Sequence, residues 1–585
     1  MRMRRRLGVA TGVAALVLCS MYQAAAKLTP ESCTPDRVNA SVDPRIAHAF
    51  RQALPPLTAE QIAGLPKWST ETMETRDRVT LAANVFLPKG EGPFPVVLSR
   101  TSYTKDVLGE LSGVTAKKYV DAGYAFVLQD VRGKGASCGE YEPFSHDIED
   151  GYDTVEWAAK QPWSNGKVGI TGSSALGITA NMAAVAAPPH LVAAFVSLTP
   201  HDQKLASYPG GVLRERDVLG WLTGQGAGPA MLAGVMTNSA DPAYWDRRSV
   251  RGYESRIRIP IYNVGGWYDV FNDGNVDNFT RLQEFGGEGA RGRQKLYMGA
   301  AGHGGLGGPA SDIDYSQPGA SIPETEEMRW WDYWLKGRDN GIMSEAPVKL
   351  FMMASGRRGH PSKYSQVFTA TSWPPASEAT HFYLEQDGGL SRTAPDASHS
   401  LSYLFDPKNP VPTIGGANQL QIAGPLDQRP IGQRPDYLRF ETPVLTENVA
   451  IAGEVKAVLW ASTDGTDTDF MVKLVDVHPD GYEQIILENP IRARFRAGMN
   501  PSQERKMIPG TQEKLILDLW NTAYTFEAGH KIQVVVTSSN SPKFQVNPNT
   551  GDGFGMLANP EFRVATNNIF VGGHNSSEII LPVIK

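Results

Sequence analysis

Hydrophobic positions change their spacing twice along this chain. In the first half they come as unbroken runs of strand length, at 95–100, 124–129, 168–171, 191–198, 259–264 and 295–298. Continuous Val, Ile and Leu without in-and-out alternation means strands covered on both faces, so these runs predict a parallel sheet with helices on each side. Between 200 and 258 the runs stop, and helix-like stretches at 211–222 and 227–237 take their place, as an inserted cap would. After residue 346 the period becomes alternating, at 455–460, 470–477, 514–520 and 531–537, with turns such as Pro479-Asp480-Gly481 and Ala528-Gly529 between them. That pattern predicts an antiparallel β-sandwich, most simply a jelly roll.

The expected class is therefore α/β with a cap insertion, followed by a C-terminal β-sandwich. The segments are a leader at 1–26, a Pro-rich extension at 27–67, the first part of the α/β domain at 68–200, the cap at 201–257, the second part of the α/β domain at 258–345 and the sandwich at 346–585.

The leader has a basic start (Arg2, Arg4, Arg5, Arg6), an apolar stretch at 7–19 and the small residues Ala24, Ala25 and Ala26, the layout of a secretory signal. Export to the periplasm or medium of a bacterium is the expectation. An uncleaved anchor is the alternative, but the apolar run is shorter than the roughly 18 residues that span a bilayer. No later stretch is long enough to span a membrane. Removing the leader takes the formal charge from −6 to −10, against the basic excess that nucleic-acid binding needs. Cys33 and Cys138 then remain, too few for a zinc cluster or a disulfide scaffold; either one bridge or two buried thiols fits. With no H-E-x-x-H and no paired C-x-x-C, neither metal nor cofactor is expected. Asp464, Asp467 and Asp469 lack the spacing and closing Glu of an EF-hand loop and read as a turn.

The strongest chemical signal is Gly172-Ser173-Ser174-Ala175-Leu176-Gly177, between a strand run and a helix-like stretch at 178–187. A nucleophile elbow needs this layout: a serine on a cramped strand-to-helix turn, with glycines where backbones approach. The spacing is G-x-S-x-x-G in place of the commoner G-x-S-x-G. A dinucleotide fingerprint would need a second early glycine and a P-loop a Lys at 178, where Ile178 stands, so the remaining competitor is an ordinary βα turn. A serine also needs a base and an orienting acid, in the chain order Ser, Asp, His. Asp269 follows the 259–264 run and His303 the 295–298 run, each by about five residues, which brings both to the sheet edge where Ser174 lies. Asp273 is the fallback acid. His190 and His201 precede the acid and break the order.

The chain resembles the cocaine-esterase-like (CocE/NonD) group of α/β-hydrolases, which shares a family with X-Pro dipeptidyl-peptidases and stands close to α-amino-acid ester hydrolases and glutaryl acylases. The residues that carry the resemblance include Arg100-Thr-Ser-Tyr103-Thr-Lys105, Asp130-Val-Arg-Gly-Lys-Gly-Ala-Ser137, the elbow, Gly266-Trp-Tyr-Asp269 and Arg329-Trp-Trp-Asp-Tyr-Trp-Leu-Lys336. The resemblance implies an α/β-hydrolase with a helical cap and a jelly roll. It implies Ser174 as nucleophile, His303 as base and Asp269 as its orienting acid, with the Tyr103 hydroxyl and the Ala175 N–H as oxyanion donors. Without it, Tyr103 reads as a packed aromatic. Two departures stand out: Ala175 occupies a place where most relatives carry Tyr, and Ala300-Ala301-Gly302-His303 replaces a bulkier histidine motif.

These readings lead to an exported serine hydrolase that cleaves a small ester, amide or short-peptide substrate through an acyl-enzyme. α-Amino-acid ester hydrolases hold the substrate ammonium on a carboxylate cluster, and this chain has Phe271 and Asn272 at two of those places. An X-Pro dipeptidyl-peptidase is the alternative, with Glu215 and Asp217 in the cap as candidate anchors. A non-catalytic binding protein that uses its jelly roll is the reading from another class.

Overall fold

The computed structural model describes residues 58, 60, 63–106, 109–304, 311–551 and 561–585. The expected leader, most of the extension, and Cys33 lie outside them. Cys138 is disulfide-bonded, and both other cysteines of the sequence are among the residues not described.

The first half builds one twisted sheet from β1 (Trp68–Glu74), β2 (Thr80–Phe86), β3 (Phe94–Thr101), β4 (Ala125–Asp130), β5 (Ser164–Ser173), β6 (Leu191–Ser197), β7 (Ile261–Tyr268), β8 (Lys295–Gly302), β9 (Val348–Ala354) and β10 (Gln366–Ala370). Pairing runs β1-β2-β4-β3-β5-β6-β7-β8-β9-β10, antiparallel at the two ends and parallel from β4 to β9. Every residue of β4 and of β7 is buried, which is why the sequence carries apolar runs at 124–129 and 259–264. The covering helices include α1 (Gly109–Asp121), α2 (Asp147–Ala159) and α3 (Ala175–Val185).

Between β6 and β7 the chain leaves the sheet and forms α4 (Gln203–Ser207), α5 (Glu215–Gly224), α6 (Pro229–Thr237) and α7 (Pro242–Asp246). They enclose a small core of their own around Tyr208, Leu213, Leu222, Val235, Met236 and Trp245. This is the expected cap. The sheet then resumes, with α8 (Asn272–Phe285) after β7 and α9 (Glu324–Trp334) before β9.

The C-terminal half is a sandwich. One layer contains β11 (Glu378–Leu384), β12 (Leu390–Ser391), β13 (His399–Phe405), β15 (Val449–Thr463), β18 (Glu513–Phe526), β20 (Ala565–Val571) and β21 (Glu578–Val583). The other contains β14 (Leu438–Glu441), β19 (Lys531–Thr537), β16 (Asp469–Val477) and β17 (Glu483–Arg492), all antiparallel and paired in that order.

The division at residue 346 needs correction. β9 begins two residues later, yet it extends the hydrolase sheet by pairing in parallel with β8, and it also pairs in parallel with β18 of the sandwich. One apolar core runs from Trp267 and Met298 through Leu350 to Leu517 and Ile579. The two halves therefore meet through a shared strand and a shared core.

Candidate active site

Ser174 sits between the last residue of β5 and the first of α3, with φ 56° and ψ −127°. A side chain with a Cβ rarely adopts a positive φ, so surrounding structure must impose it. It does so through two glycines: a Cβ on Gly172 would lie 2.3 Å from the Leu176 carbonyl carbon, and one on Gly177 would lie 2.3 Å from Thr199 Cγ2. The Ser174 N–H donates to the Ser197 carbonyl of the neighbouring strand at 3.0 Å, which fixes the turn on the sheet.

Both candidate strands run further than their sequence pattern predicts. β7 ends at Tyr268, directly before Asp269, and β8 ends at Gly302, directly before His303. The glycines at 265, 266, 299 and 302 interrupt the apolar pattern while the strands continue. Ser174, Asp269 and His303 thus project from the carboxyl ends of three strands that lie within one parallel sheet.

Their side chains form a line. Ser174 Oγ is 2.8 Å from His303 Nε2, and His303 Nδ1 is 2.7 Å from Asp269 Oδ2. A carboxylate only accepts, so Nδ1 carries the proton and Nε2 is left to accept from the serine hydroxyl. Asp269 is fully buried, and its other oxygen accepts the Phe271 N–H at 2.8 Å. Burial works against charge on His303, but the Asp269 carboxylate and its hydrogen bond outweigh it, so the imidazole pKa is raised. Phe271 meets that ring edge-on at 5.4 Å. Chemically, the line can withdraw the proton of Ser174 and stabilise the imidazolium that results.

Tyr103 lies two residues beyond β3, and its N–H donates to Thr101 Oγ1 at 3.0 Å. The hydroxyl is buried, which raises its pKa against the opposing effect of the neighbouring Trp221 and Ser174 side chains. The Trp221 contact, from α5 of the cap, is an indole N–H donated to the phenol oxygen at 3.0 Å. Ala175 opens α3, so its amide is among the first-turn N–H groups that a helix leaves without an internal acceptor.

Ser174 and Ala175 open onto a cavity of about 770 Å³ between the cap, the loop 140–146 and the sandwich. Its wall is mainly apolar, including Phe144, Trp221, Met231, Val235 and Trp245. Among the described residues that line it, four buried polar atoms have no hydrogen-bond partner: Tyr141 Oη, Gln203 Nε2, Arg214 Nε and Asp217 Oδ2. The other Asp217 oxygen accepts the backbone N–H groups of Gln419 and Leu420, at 3.2 and 2.9 Å, so a sandwich loop hangs on the cap helix.

The rival residues lie elsewhere. Asp273 accepts the Asn521 backbone and side-chain N–H groups at 2.9 and 2.8 Å. His201 is buried between Asn278 and Glu254, and His190 pairs with Glu156. Asn272 donates to the Trp267 and Asn521 carbonyls. Glu215 is absent from the cavity lining among the described residues, whereas Asp217 is part of it. The Asp464 to Asp469 stretch is a turn whose carboxylates face arginines: Asp464 meets Arg563, Asp467 meets Arg494 and Asp469 meets Arg492.

One group of potential metal ligands, Asp476, His478 and His530, was not legible in the sequence, where 54 residues separate the first from the last. Each already has partners. Asp476 accepts from Tyr524 at 2.6 Å and meets His530 Nδ1 at 2.9 Å, while His478 Nε2 lies 3.0 Å from Gln484. These bonds fit a satisfied polar network within the sandwich.

Comparison with known proteins agrees with this architecture. The family model described as X-Pro dipeptidyl-peptidase (S15 family) matches residues 77–231 and 222–305, and that of the X-Pro dipeptidyl-peptidase C-terminal non-catalytic domain matches 340–580. Cocaine esterase of Rhodococcus sp. (strain MB1 Bresler) is 31% identical over 575 residues, covering 87% of this chain and 97% of that protein. Among solved structures, an aminopeptidase from the marine sediment archaeon Thaumarchaeota archaeon superposes with a TM-score of 0.76 at 24% identity, covering 91% of this chain and 99% of the other. An α-amino acid ester hydrolase gives a TM-score of 0.71 at 23% identity, covering 91% and 98%.

Proposed function

The chain belongs to the X-Pro dipeptidyl-peptidase family and is a serine hydrolase of the α/β type, and from that premise we propose that it cleaves small acyl esters through an acyl-enzyme on Ser174. The observation that carries the reading is the hydrogen-bonded line Ser174, His303, Asp269, whose Ser174 end opens onto a largely apolar cavity. His303 Nε2 takes the serine proton as Oγ attacks the carbonyl carbon, and Asp269 holds the imidazolium. The tetrahedral oxyanion accepts from the Tyr103 hydroxyl and the Ala175 N–H, a kind of contact worth about 10²–10³ in rate per donor. His303 then returns the proton to the leaving alkoxide, and a water molecule attacks the acyl-enzyme with His303 again as base.

The apolar wall favours an acyl or alcohol group of aromatic or branched character, which is the basis for the ester preference. A second reading, cleavage of a short peptide with a free amino terminus, is favoured by one observation: the unpartnered Asp217 Oδ2 in the same cavity, an acceptor suited to an ammonium. We also propose export, on the basic and apolar leader with its Ala24-Ala25-Ala26 end and on the disulfide at Cys138, a bond that persists in oxidising compartments. The mature chain should then begin at Lys27 when the amino terminus of the exported protein is sequenced.

A fluorophosphonate probe tests the nucleophile. Labelling of the wild type and loss of it in Ser174→Ala is the expected result. An unlabelled wild type, or equal labelling of both, removes the acyl-enzyme and leaves the reading in which the jelly roll recruits a partner. A panel of p-nitrophenyl acyl esters beside Ala-Pro-p-nitroanilide separates the substrates, and turnover of the anilide alone would replace the esterase by the peptidase.

A further inference from the structure

We propose that Trp221 of the cap is a positioning residue for the oxyanion donor, fixing the direction in which the Tyr103 hydroxyl gives its proton. The proposal rests on the serine-hydrolase reading above and adds to it a residue outside the reacting set.

An indole N–H is a donor and nothing else, whereas a phenol hydroxyl both donates and accepts. Trp221 Nε1 stands 3.0 Å from the Tyr103 oxygen, so at this contact the phenol must be the acceptor. Its single proton must then point away from the indole, and the Ser174 side chain, beside which the oxyanion forms, is near enough to act on its titration. Ser174 in turn gives its own proton to His303. From Ser174 through His303 to Asp269 the donors face one way, and each bond strengthens the next. Without the indole N–H, the phenol can turn and accept the Ser174 proton instead. In that arrangement the serine no longer points at its base and the oxyanion has lost a donor.

Trp221 is built to stay in place. Its ring stacks on Phe144 at 5.5 Å with 13° between the planes, and Phe144 itself holds φ 61°, a left-handed conformation that a bulky residue keeps only under constraint. One turn earlier on α5, Asp217 binds the amides of Gln419 and Leu420. Residues four apart share a helix face. The same stretch of α5 is therefore pinned to the sandwich at one end and to the oxyanion donor at the other, and proper seating of the cap becomes a condition for fast acylation.

The test is a double-mutant cycle. Trp221→Phe keeps a ring against Phe144 and removes the N–H. On a p-nitrophenyl ester it should lower kcat about tenfold, below the 10²–10³ that loss of an oxyanion donor itself costs, while KM stays within twofold. Rates are counted per site titrated to completion with fluorophosphonate, so a partly folded preparation changes the site number and not the ratio. In a Tyr103→Phe background the same substitution should change kcat less than twofold, an outcome that lost packing would not produce. Trp221→Leu runs the same cycle if the Phe variant does not fold. Equal losses in both backgrounds, or an unchanged kcat in Trp221→Phe beside an impaired Tyr103→Phe, overturn the positioning role while the oxyanion reading stands. An unimpaired Tyr103→Phe overturns both. Loss of fluorophosphonate labelling in the wild type would instead strike the serine reading beneath them.

Discussion

At the scale of single residues, the site works by denying its groups any alternative. Asp269 has no solvent and only donors around it, so His303 is held in one tautomer and its pKa is raised against the pull of burial. A protonated imidazole cannot accept the Ser174 proton, so kcat/KM should fall as pH drops through the His303 pKa, on a limb lying above the ordinary histidine value of 6.5. Asp269→Asn removes the charge that favours the imidazolium. The limb should move to lower pH, and the plateau should drop by about 10⁴, as when a triad acid is neutralised. An unmoved limb in a pH profile of the variant would mean that His303 is not the titrating base. Gly172 is constrained by shape instead of charge. Gly172→Ala sets a Cβ 2.3 Å from backbone, and the elbow must open to admit it. A loss of about 3 kcal/mol in denaturant unfolding is expected, together with loss of fluorophosphonate labelling. The sequence made these residues legible because each role demands one residue type at one place in a strand-turn pattern. Trp221 carried no such mark: 118 positions separate it from Tyr103, and nothing local distinguishes it from a tryptophan packed in a helical cap.

At the scale of elements, the cap is attached less by its own small core than by what it binds on either side. Asp217 on α5 receives two amides of a sandwich loop, and Arg214, just before that helix, donates to the Val270 carbonyl at 2.7 Å and lies over the Trp520 ring at 4.7 Å. Val270 directly follows Asp269, so cap, acid turn and sandwich are tied at neighbouring points. Asp217→Ala should release the 415–424 loop from the cavity wall. The expected result is a several-fold rise in KM across the ester panel and faster proteolytic nicking in that loop, with the extent of fluorophosphonate labelling unchanged. If KM rises only for Ala-Pro-p-nitroanilide, Asp217 acts on a substrate ammonium and the peptidase reading gains. Periodicity had placed two of the cap helices and the insertion point between β6 and β7, since an amphipathic stretch declares itself locally. It could not place Gln419 in the cavity, because that contact joins residues about 200 apart through folding of the whole chain.

At the scale of the molecule, the sequence pattern separates two domains that the fold joins. The run at β9 resembles the start of the alternating half, yet its partners are β8 on one side and β18 on the other, and pairing partners are not encoded in a strand's own residues. The consequence is a shared apolar cluster in which Trp267 and Tyr268, next to Asp269, pack with Leu350, Leu517 and Ile579. Tyr268 even donates its hydroxyl to the Ile485 carbonyl of β17, at 2.9 Å. A chain ending at residue 345 would keep the Ser174, Asp269 and His303 sequence but would expose the edge of β8 and the underside of the acid strand. Exposed apolar faces larger than a few hundred Å² and unpaired strand edges drive association. The fragment should therefore be recovered aggregated and unlabelled by fluorophosphonate. The full chain, by contrast, should unfold in one calorimetric transition, because the sandwich and the acid strand of the hydrolase half share one apolar cluster and neither can lose it alone. Two resolved transitions together with a soluble, labelled fragment would mean that the hydrolase half carries its active site independently and that the sandwich is an accessory to it. A single transition makes the non-catalytic half a structural part of the catalytic one, since the strand that leads into Asp269 is packed on it.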